Sequence, residues 1–470
     1  MINPYIFRGY DIRGKVGKDL NFKVVKRIAQ GYAYFLNTRR IKQAVVGHDC
    51  RLSSEEFKNA MIEGLTESGI DVVDLGMCLT QMVYFAQYHY KTNGGVMITA
   101  SHNPADYNGM KMALGYSYTL GTREILDLKK IVQENKRVKK AKKGSVTTGK
   151  DLKEAYFRDI LKRVNIDKKF KIVFDPSCGT AAGFIKELFQ EKLGFEIICQ
   201  NCKVDGSFPK GTPDPTEEHI LERLGEKVIE TKADLGIAYD GDGDRLGVVD
   251  EKGGIIWADV LVAIFADDIL DYLPGGKIVY NVLCSKLVDD VINKKGIALM
   301  YKTGHSFIKE KVSNERALFG GELSGHFFFM DNFFGHDDAF FATLRLLEYL
   351  QRKDRSLSKI IEKFPKYISS PEIKVGCPDN LKVKLVDDKI TKELKQKFPY
   401  AKHTTIDGIR IDFKTSMLVI RYSHNGPYLT VKFEAKDQKQ YEKLKKQVKE
   451  ILEKHKEINW QEGSNVESLN

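Results

Sequence analysis

From residue 22 onward the chain alternates segments whose apolar residues recur at helical spacing with short runs of β-branched apolar residues, and this alternation constrains the fold most. Residues 22–37 read as an amphipathic helix, 44–47 as a strand, 54–68 as a second helix and 71–75 as a second strand. Helices that alternate with strands in this way cover a sheet, so the class is α/β. The pattern restarts at a strand over 171–174, which runs into Asp175-Pro176-Ser177-Cys178-Gly179-Thr180. That turn either caps a helix or cups a phosphate with backbone amides, the cap being the simpler account. Between 409 and 435 the spacing changes to alternating apolar and polar residues, and a charged helix is expected over 436–458, together an α+β module. A chain of 470 residues holds about three or four domains. The expected fold is α/β, about three similar mixed α/β domains plus a C-terminal α+β domain around a central cleft. The expected boundaries give 1–145, 146–250, 251–366 and 367–470, the lysine-rich stretch 136–149 marking the first.

Composition narrows the function classes. Lys and Arg number 75 against 64 Asp and Glu, a net charge of +11. The lysines are scattered over helical faces without interleaved aromatics or a nucleic-acid motif, so a solvated basic surface, able to attract sugar phosphates, is expected rather than nucleic-acid binding. No apolar run reaches the roughly 18 residues of a membrane span. Met1-Ile2-Asn3-Pro4 does not begin a basic and apolar leader, so a cytoplasmic protein is expected, a monomer or small homo-oligomer. Seven cysteines, an odd number thinly spread, suit free thiols, and the lone Cys199-Gln200-Asn201-Cys202 reads as structural rather than zinc-binding.

Two loops carry the chemistry. In Thr99-Ala100-Ser101-His102-Asn103-Pro104 an apolar strand ends in a tight polar turn, because Pro104 drives Asn103 out of helical geometry, and the turn presents the Ser101 hydroxyl. In Asp240-Gly241-Asp242-Gly243-Asp244-Arg245 three carboxylates alternate with two glycines between two apolar strands. Packing that much negative charge is costly unless a hard cation shares it, which suits Mg²⁺ or Ca²⁺. An EF-hand is excluded, since Arg245 stands where that loop needs glycine and both flanks read as strands. A hydroxyl in a turn and a carboxylate-held cation together point to phosphoryl transfer.

At these two loops the chain resembles the α-D-phosphohexomutases, most closely the bacterial phosphomannomutase/phosphoglucomutase group. The resemblance implies that Ser101 carries a phosphoryl group and that Asp240, Asp242 and Asp244 bind Mg²⁺ with it, and it places His102 and Arg245 in the catalytic set. It further implies that Tyr10 and Arg13, from the opening Phe7-Arg8-Gly9-Tyr10-Asp11-Ile12-Arg13-Gly14, bind substrate, and that Lys111 is the active-site lysine after Asn108-Gly109. The implied reaction interconverts hexose 1-phosphate and hexose 6-phosphate through a hexose 1,6-bisphosphate intermediate.

Two further loops fit a sugar phosphate. Gly320-Gly321-Glu322-Leu323-Ser324-Gly325-His326 offers a charged acceptor and a hydroxyl suited to neighbouring sugar hydroxyls, and the resemblance assigns Glu322 and Ser324 that task. His305 and His326 fall at active-site positions of the family, either one able to shuttle a proton. In Arg421-Tyr422-Ser423-His424-Asn425-Gly426-Pro427 a guanidinium, a hydroxyl and an amide share one hairpin turn suited to phosphate. The resemblance carries over Arg421 and Ser423, with Asn425 standing where relatives usually have threonine. The chain also departs at Leu283-Cys284, where relatives have a lysine before the cysteine, and Lys286 is not a simple replacement. Mannose and glucose phosphates are the expected substrates, an expectation to which Leu323 and Gly243 add. The alternatives are a phosphoglucosamine mutase and a non-catalytic sugar-phosphate-binding protein.

Overall fold

The computed structural model describes residues 2–138, 142–424 and 426–469 and divides into two compact units. One comprises Met1–Ala258 with Ser324–Glu362, the other Asp259–Leu323 with Lys363–Asn470.

The first unit contains two mixed sheets. In the first, Gln43–His48 pairs in parallel with Gly94–Ile98 on one side and Asp71–Met77 on the other, while Tyr107–Gly115 runs antiparallel to Gly94–Ile98 and to Ile12–Lys15. Gly94–Ile98 is buried along its whole length, as a central strand covered on both faces must be, which is why its sequence shows no alternation. The helices Phe22–Asn37 and Ser54–Glu67 fall where their periodicity predicts. Asn21 starts the first by accepting the Val24 N–H, and Ile28, Tyr32 and Phe35 pack with Val46, Val96 and Ile98. Val146–Thr148 joins the same sheet beside Asp71–Met77, just beyond the boundary expected at 145.

In the second sheet Leu235–Tyr239 lies parallel to Lys171–Asp175 and antiparallel to Leu246–Val249, so the acidic loop is the short connection of a hairpin. The helix Glu218–Thr231 covers it, burying Leu224 and Val228 against Val173 and Val249. The helix Ala339–Lys353 belongs to this unit. Its cap, Asp338, accepts the Phe341 N–H at 2.8 Å and the Tyr156 hydroxyl at 2.9 Å, and Thr343 meets the Tyr239 hydroxyl at 2.7 Å.

Burial pushes the Asp338 carboxyl up to about 7, although those two donors favour its charged form. The folded chain therefore holds a proton that the unfolded chain has released above its ordinary value of about 3.9, and stability falls as pH rises from there to about 7. Asp338→Asn keeps the cap without the proton. Between pH 5 and pH 8 the wild type should lose on the order of 2 kcal/mol more stability than the variant in urea denaturation; equal slopes would contradict this account.

In the second unit Lys277–Asn281 pairs in parallel with Ile297–Tyr301 and Phe319–Gly321. A separate antiparallel sheet runs Lys402–Thr404, Ile409–Asp412, Ser416–Tyr422, Tyr428–Ala435, Ile373–Gly376, Asn459–Ser464. The helix Gln438–Glu453 buries Leu444, Val448 and Ile451 in the core of that sheet. The charged helix expected to reach 458 ends five residues sooner, because Asn459–Ser464 is claimed as an edge strand.

Candidate active site

Strand Gly94–Ile98 delivers the chain to Ser101, whose φ of 51° is left-handed, a conformation costing on the order of 1 kcal/mol or more for a residue with a Cβ. The surroundings hold it there. Thr99 Oγ1 accepts the Ser101 N–H at 2.8 Å. Arg51, buried and fixed by Asp49 at 3.2 Å, donates to the carbonyls of Ser101 at 2.7 Å, Asn103 at 2.6 Å, Pro104 at 2.7 Å and Tyr107 at 3.0 Å. Arg13 donates to the Ala100 carbonyl at 2.9 Å and to Asn103 Oδ1 at 2.5 Å. Arg13 reaches the loop because its strand pairs Arg13 with Gly109, where a Cβ would lie 2.1 Å from the Ile12 carbonyl oxygen. Neither Arg51 nor Asp49 was singled out by the sequence: Arg51 binds carbonyls some 50 residues away while Asp49 fixes Arg51, and no local spacing announces that task.

The serine meets the acidic loop. Ser101 Oγ donates to Asp240 Oδ2 at 2.7 Å and lies 3.2 Å from His102 Nδ1. The approach depends on Gly241, since a Cβ there would stand 2.5 Å from the Ser101 carbonyl oxygen. Carboxylate oxygens of the buried Asp240, Asp242 and Asp244 lie within 4.8 Å of one another. Lys111 Nζ bridges Asp242 at 2.8 Å and Asp244 at 2.5 Å, and Thr80 donates to Asp242 at 2.6 Å. Asp240 Oδ1 takes the backbone N–H groups of Asp244 at 3.0 Å and Arg245 at 3.1 Å.

Burial opposes every charge in this cluster, and the outcome differs by position. Asp240 is pushed well above the ordinary carboxylate range by burial and by the fields of Asp242 and Asp244. Against burial, Lys111 holds Asp242 below that range and Asp244 well below it, with His326 adding its effect at Asp244. Lys111 is itself raised, because Asp242 and Asp244 outweigh its desolvation. Asp242 Oδ1 and Asp244 Oδ1 are buried and accept no hydrogen bond among the described residues. Convergent, unsatisfied carboxylate oxygens beside a serine hydroxyl fit a hard divalent cation.

The other expected residues of this unit sit around the cluster. Arg245 faces Asp214 at 3.5 Å and Asp240 at 4.0 Å, and buried Tyr10 acts electrostatically on both Arg13 and Arg245. His326 Nδ1 lies 2.9 Å from Ser324 Oγ and its Nε2 lies 3.5 Å from Asp244 Oδ1, so the Ser324 hydroxyl orients His326. Asp337, which the sequence reading passed over, brings a carboxylate to within 4.8 Å of Asp244 and His326.

The second unit carries the remaining set. Glu322 Oε1 accepts the Gly304 N–H at 2.7 Å, and buried His305 opens the helix His305–Glu315. Arg421 donates through Nε to Asp407 at 2.8 Å, and Ser423 Oγ accepts the Gly426 N–H at 3.2 Å. Asn425 lies outside the described residues. Leu283 is buried with Val282, Met417 and Val419, against which Leu323 also packs, so an apolar cluster occupies the place of the family's lysine. Lys286 points its ammonium toward Asp412 at 3.9 Å.

The phosphate alternative at 175–180, already the less simple account, is set aside because the amides are taken: Ser177 by Asp175, Cys178 by the Asn201 carbonyl, Gly179 by that of Pro176 and Thr180 by that of Gly241. One expectation is corrected. The cysteines are not all free thiols. A left-handed Asn201 turns the chain so that the Cα atoms of Cys199 and Cys202 are 5.5 Å apart, within disulfide reach, and the two are bonded. Among the described residues no helix is long and apolar enough to cross a membrane.

A serine held against buried carboxylates, with lysine and imidazole beside it, is equipped for phosphoryl transfer. Family models described as phosphoglucomutase/phosphomannomutase α/β/α domains I, II and III match residues 4–139, 154–254 and 257–367, and the C-terminal domain of the same family matches 372–451. A phosphoglucomutase of Neisseria gonorrhoeae is 38% identical over 97% of this chain and 98% of its own. A phosphomannomutase/phosphoglucomutase of Pseudomonas putida is 37% identical over 94% of each. The crystal structure of a phosphoglucomutase/phosphomannomutase family protein from Burkholderia thailandensis superposes with a TM-score of 0.87 at 33% identity, covering 96% of this chain and 98% of that one. The chain belongs to the phosphoglucomutase/phosphomannomutase family.

Proposed function

We propose that this hexose-phosphate mutase interconverts the 1-phosphates and 6-phosphates of mannose and glucose by way of a phosphoserine at Ser101 and a hexose 1,6-bisphosphate. Mutase activity accords with the family; the route and the residues are the proposal. The observation that carries it is the 2.7 Å approach of Ser101 Oγ to Asp240, which joins two loops 139 residues apart at one point. In the forward step the phosphoryl group leaves Ser101 Oγ for the free sugar hydroxyl, while that hydroxyl's proton passes to a base and Oγ gains one. His326, oriented by Ser324, and His305 are the two proposed carriers of those protons, and His102, 3.2 Å from Oγ, completes the catalytic imidazoles. The returning step uses the other phosphate of the bisphosphate and restores phosphoserine.

Asp240, Asp242 and Asp244, with the phosphorylated Ser101, would hold Mg²⁺. Bound there, the ion supplies charge neutralisation to the transferring phosphoryl group. The chain's own part is positioning: Arg51 and Arg13 fix the serine turn, and Lys111 spreads positive charge between Asp242 and Asp244. Tyr10 and Arg13 are assigned to substrate binding and Arg245 to the catalytic set. Glu322 and Ser324 would read sugar hydroxyls, while Arg421, Ser423 and Asn425 would grip the phosphate not being transferred. Four consecutive segments with the boundaries expected above are proposed as domains, supported by four successive family models. A cytoplasmic location is part of the same reading.

The resemblance at Gly243 and Leu323 supports neutral hexoses over an amino sugar. Rates measured side by side on glucose, mannose and glucosamine 1-phosphates test this. Turnover of the first two should exceed that of the third by at least about ten-fold, on the order of 1.4 kcal/mol; a preference for glucosamine 1-phosphate would contradict the reading.

A further inference from the structure

Asp407 lies between the strands Lys402–Thr404 and Ile409–Asp412 and is buried. Its Oδ2 accepts two donors from distant parts of the second unit, Arg421 Nε at 2.8 Å and the Thr303 N–H at 2.9 Å. Its Oδ1 faces His424 Nε2 at 3.3 Å. Arg421 is the penultimate residue of the strand Ser416–Tyr422, at the edge of the expected phosphate loop. Thr303 belongs to the turn in which Gly304 donates to Glu322 at 2.7 Å and from which the helix bearing His305 begins. Asn281 ties the same turn from the other side, donating to Thr303 Oγ1 at 3.4 Å and accepting the Leu323 N–H at 3.3 Å.

We propose that Asp407 is a positioning residue of the mutase, one carboxylate that sets the Arg421 guanidinium and the Thr303-Gly304-His305 turn in a fixed relation; this rests on Arg421 gripping phosphate and Glu322 reading the sugar. The choice of nitrogen matters. An arginine held through Nε has the plane of its guanidinium fixed while the paired Nη groups stay available for a bidentate grip on phosphate oxygens. Holding it through the Nη fork would consume the same edge that a phosphate needs. Because Oδ2 also takes the Thr303 N–H, an error in the arginine's position is an error relative to the Glu322 turn as well.

Steady-state kinetics with glucose 1-phosphate test this on the full chain, with thermal melts to verify folding. Asp407→Ala should raise KM at least about ten-fold while kcat changes less than about three-fold, the size expected when a binding group is misplaced by a fraction of an ångström. Asp407→Asn, which keeps an acceptor oxygen in the same place, should restore KM to within about three-fold of wild type. Arg421→Ala should raise KM at least as much as Asp407→Ala, and the double variant should lose clearly less than the product of the two single losses, since part of the anchor's effect runs through the arginine it holds. An unchanged KM in Asp407→Ala, or a double variant whose loss is the product of the two single losses, overturns the proposal. An unchanged KM in Arg421→Ala instead removes the phosphate-loop reading beneath it. If the alanine variant does not fold, Asp407→Glu, which moves the carboxylate by one methylene, is measured against the same KM criterion.

Discussion

Replacing Ser101 by alanine should abolish mutase turnover, a loss of at least about 10⁴-fold if no other nucleophile substitutes, and should leave the fold intact. The turn does not depend on the hydroxyl. Its shape is fixed by the Ser101 N–H on Thr99, by Arg51 on four carbonyls and by Arg13 on Ala100 and Asn103, and all of these contacts survive in alanine. What is lost is the oxygen proposed to bear the phosphoryl group, which donates to Asp240. Kinetics on the purified variant beside a thermal melt make the measurement. Turnover within ten-fold of wild type in a well-folded Ser101→Ala would contradict the phosphoserine route, whereas the same loss with an unfolded chain would point to a structural role.

Lys111→Met should produce the second large effect, on stability as well as rate. Lys111 Nζ is the cation between two carboxylates buried beside a third. Removing it leaves uncompensated charge in a desolvated site, which typically costs about 3–5 kcal/mol, roughly 10 °C in melting temperature for a unit of this size. The loss should be greatest in chelator. Magnesium should then stabilise the variant more than the wild type, because with the ammonium gone the triad has more unneutralised charge to offer a divalent ion. Melting curves of both proteins with chelator and with magnesium read this directly. A variant that melts with the wild type in chelator and gains nothing extra from magnesium would show that the triad is neutralised some other way, protonated Asp240 being the first suspect since its carboxyl already holds a proton more tightly than an ordinary aspartate.

The two loops that matter most were legible because their chemistry is local. Ser101 is placed by a strand that stops at a Pro-containing turn, and the acidic triplet is written within six consecutive residues. That they meet was expected from their joint chemistry and the family resemblance, not from any spacing between them. The meeting depends on Gly241 clearing the Ser101 carbonyl and on two separate sheets being packed within one unit, neither of which has a signature in spacing. The helices at 22–37 and 54–67 were placed to within a residue and the last one overran its end by five, while Val146–Thr148 and Asn459–Ser464 went unseen because edge strands with exposed side chains look like linker. Arg51, Asp49, Asp337 and Asp407 form a further group that local reading could not find. Arg51, Asp337 and Asp407 act on atoms remote in sequence and Asp49 holds Arg51, and an arginine that binds carbonyls has the same local context as one exposed to water. The Cys199–Cys202 bond shows the converse: the spacing was noticed, but only the turn at Asn201 decided between thiols and a bridge.

The account's central claim is that one phosphoryl group moves between the Ser101 oxygen and a sugar. It is tested most directly by loading the protein from ³²P-labelled glucose 1,6-bisphosphate, removing free label, and chasing with unlabelled glucose 6-phosphate in the presence of magnesium. The account predicts label on the peptide containing Ser101 before the chase and labelled bisphosphate in solution after it, with neither in Ser101→Ala. Label at any other residue, or label on Ser101 that the sugar does not remove while turnover proceeds, would contradict it.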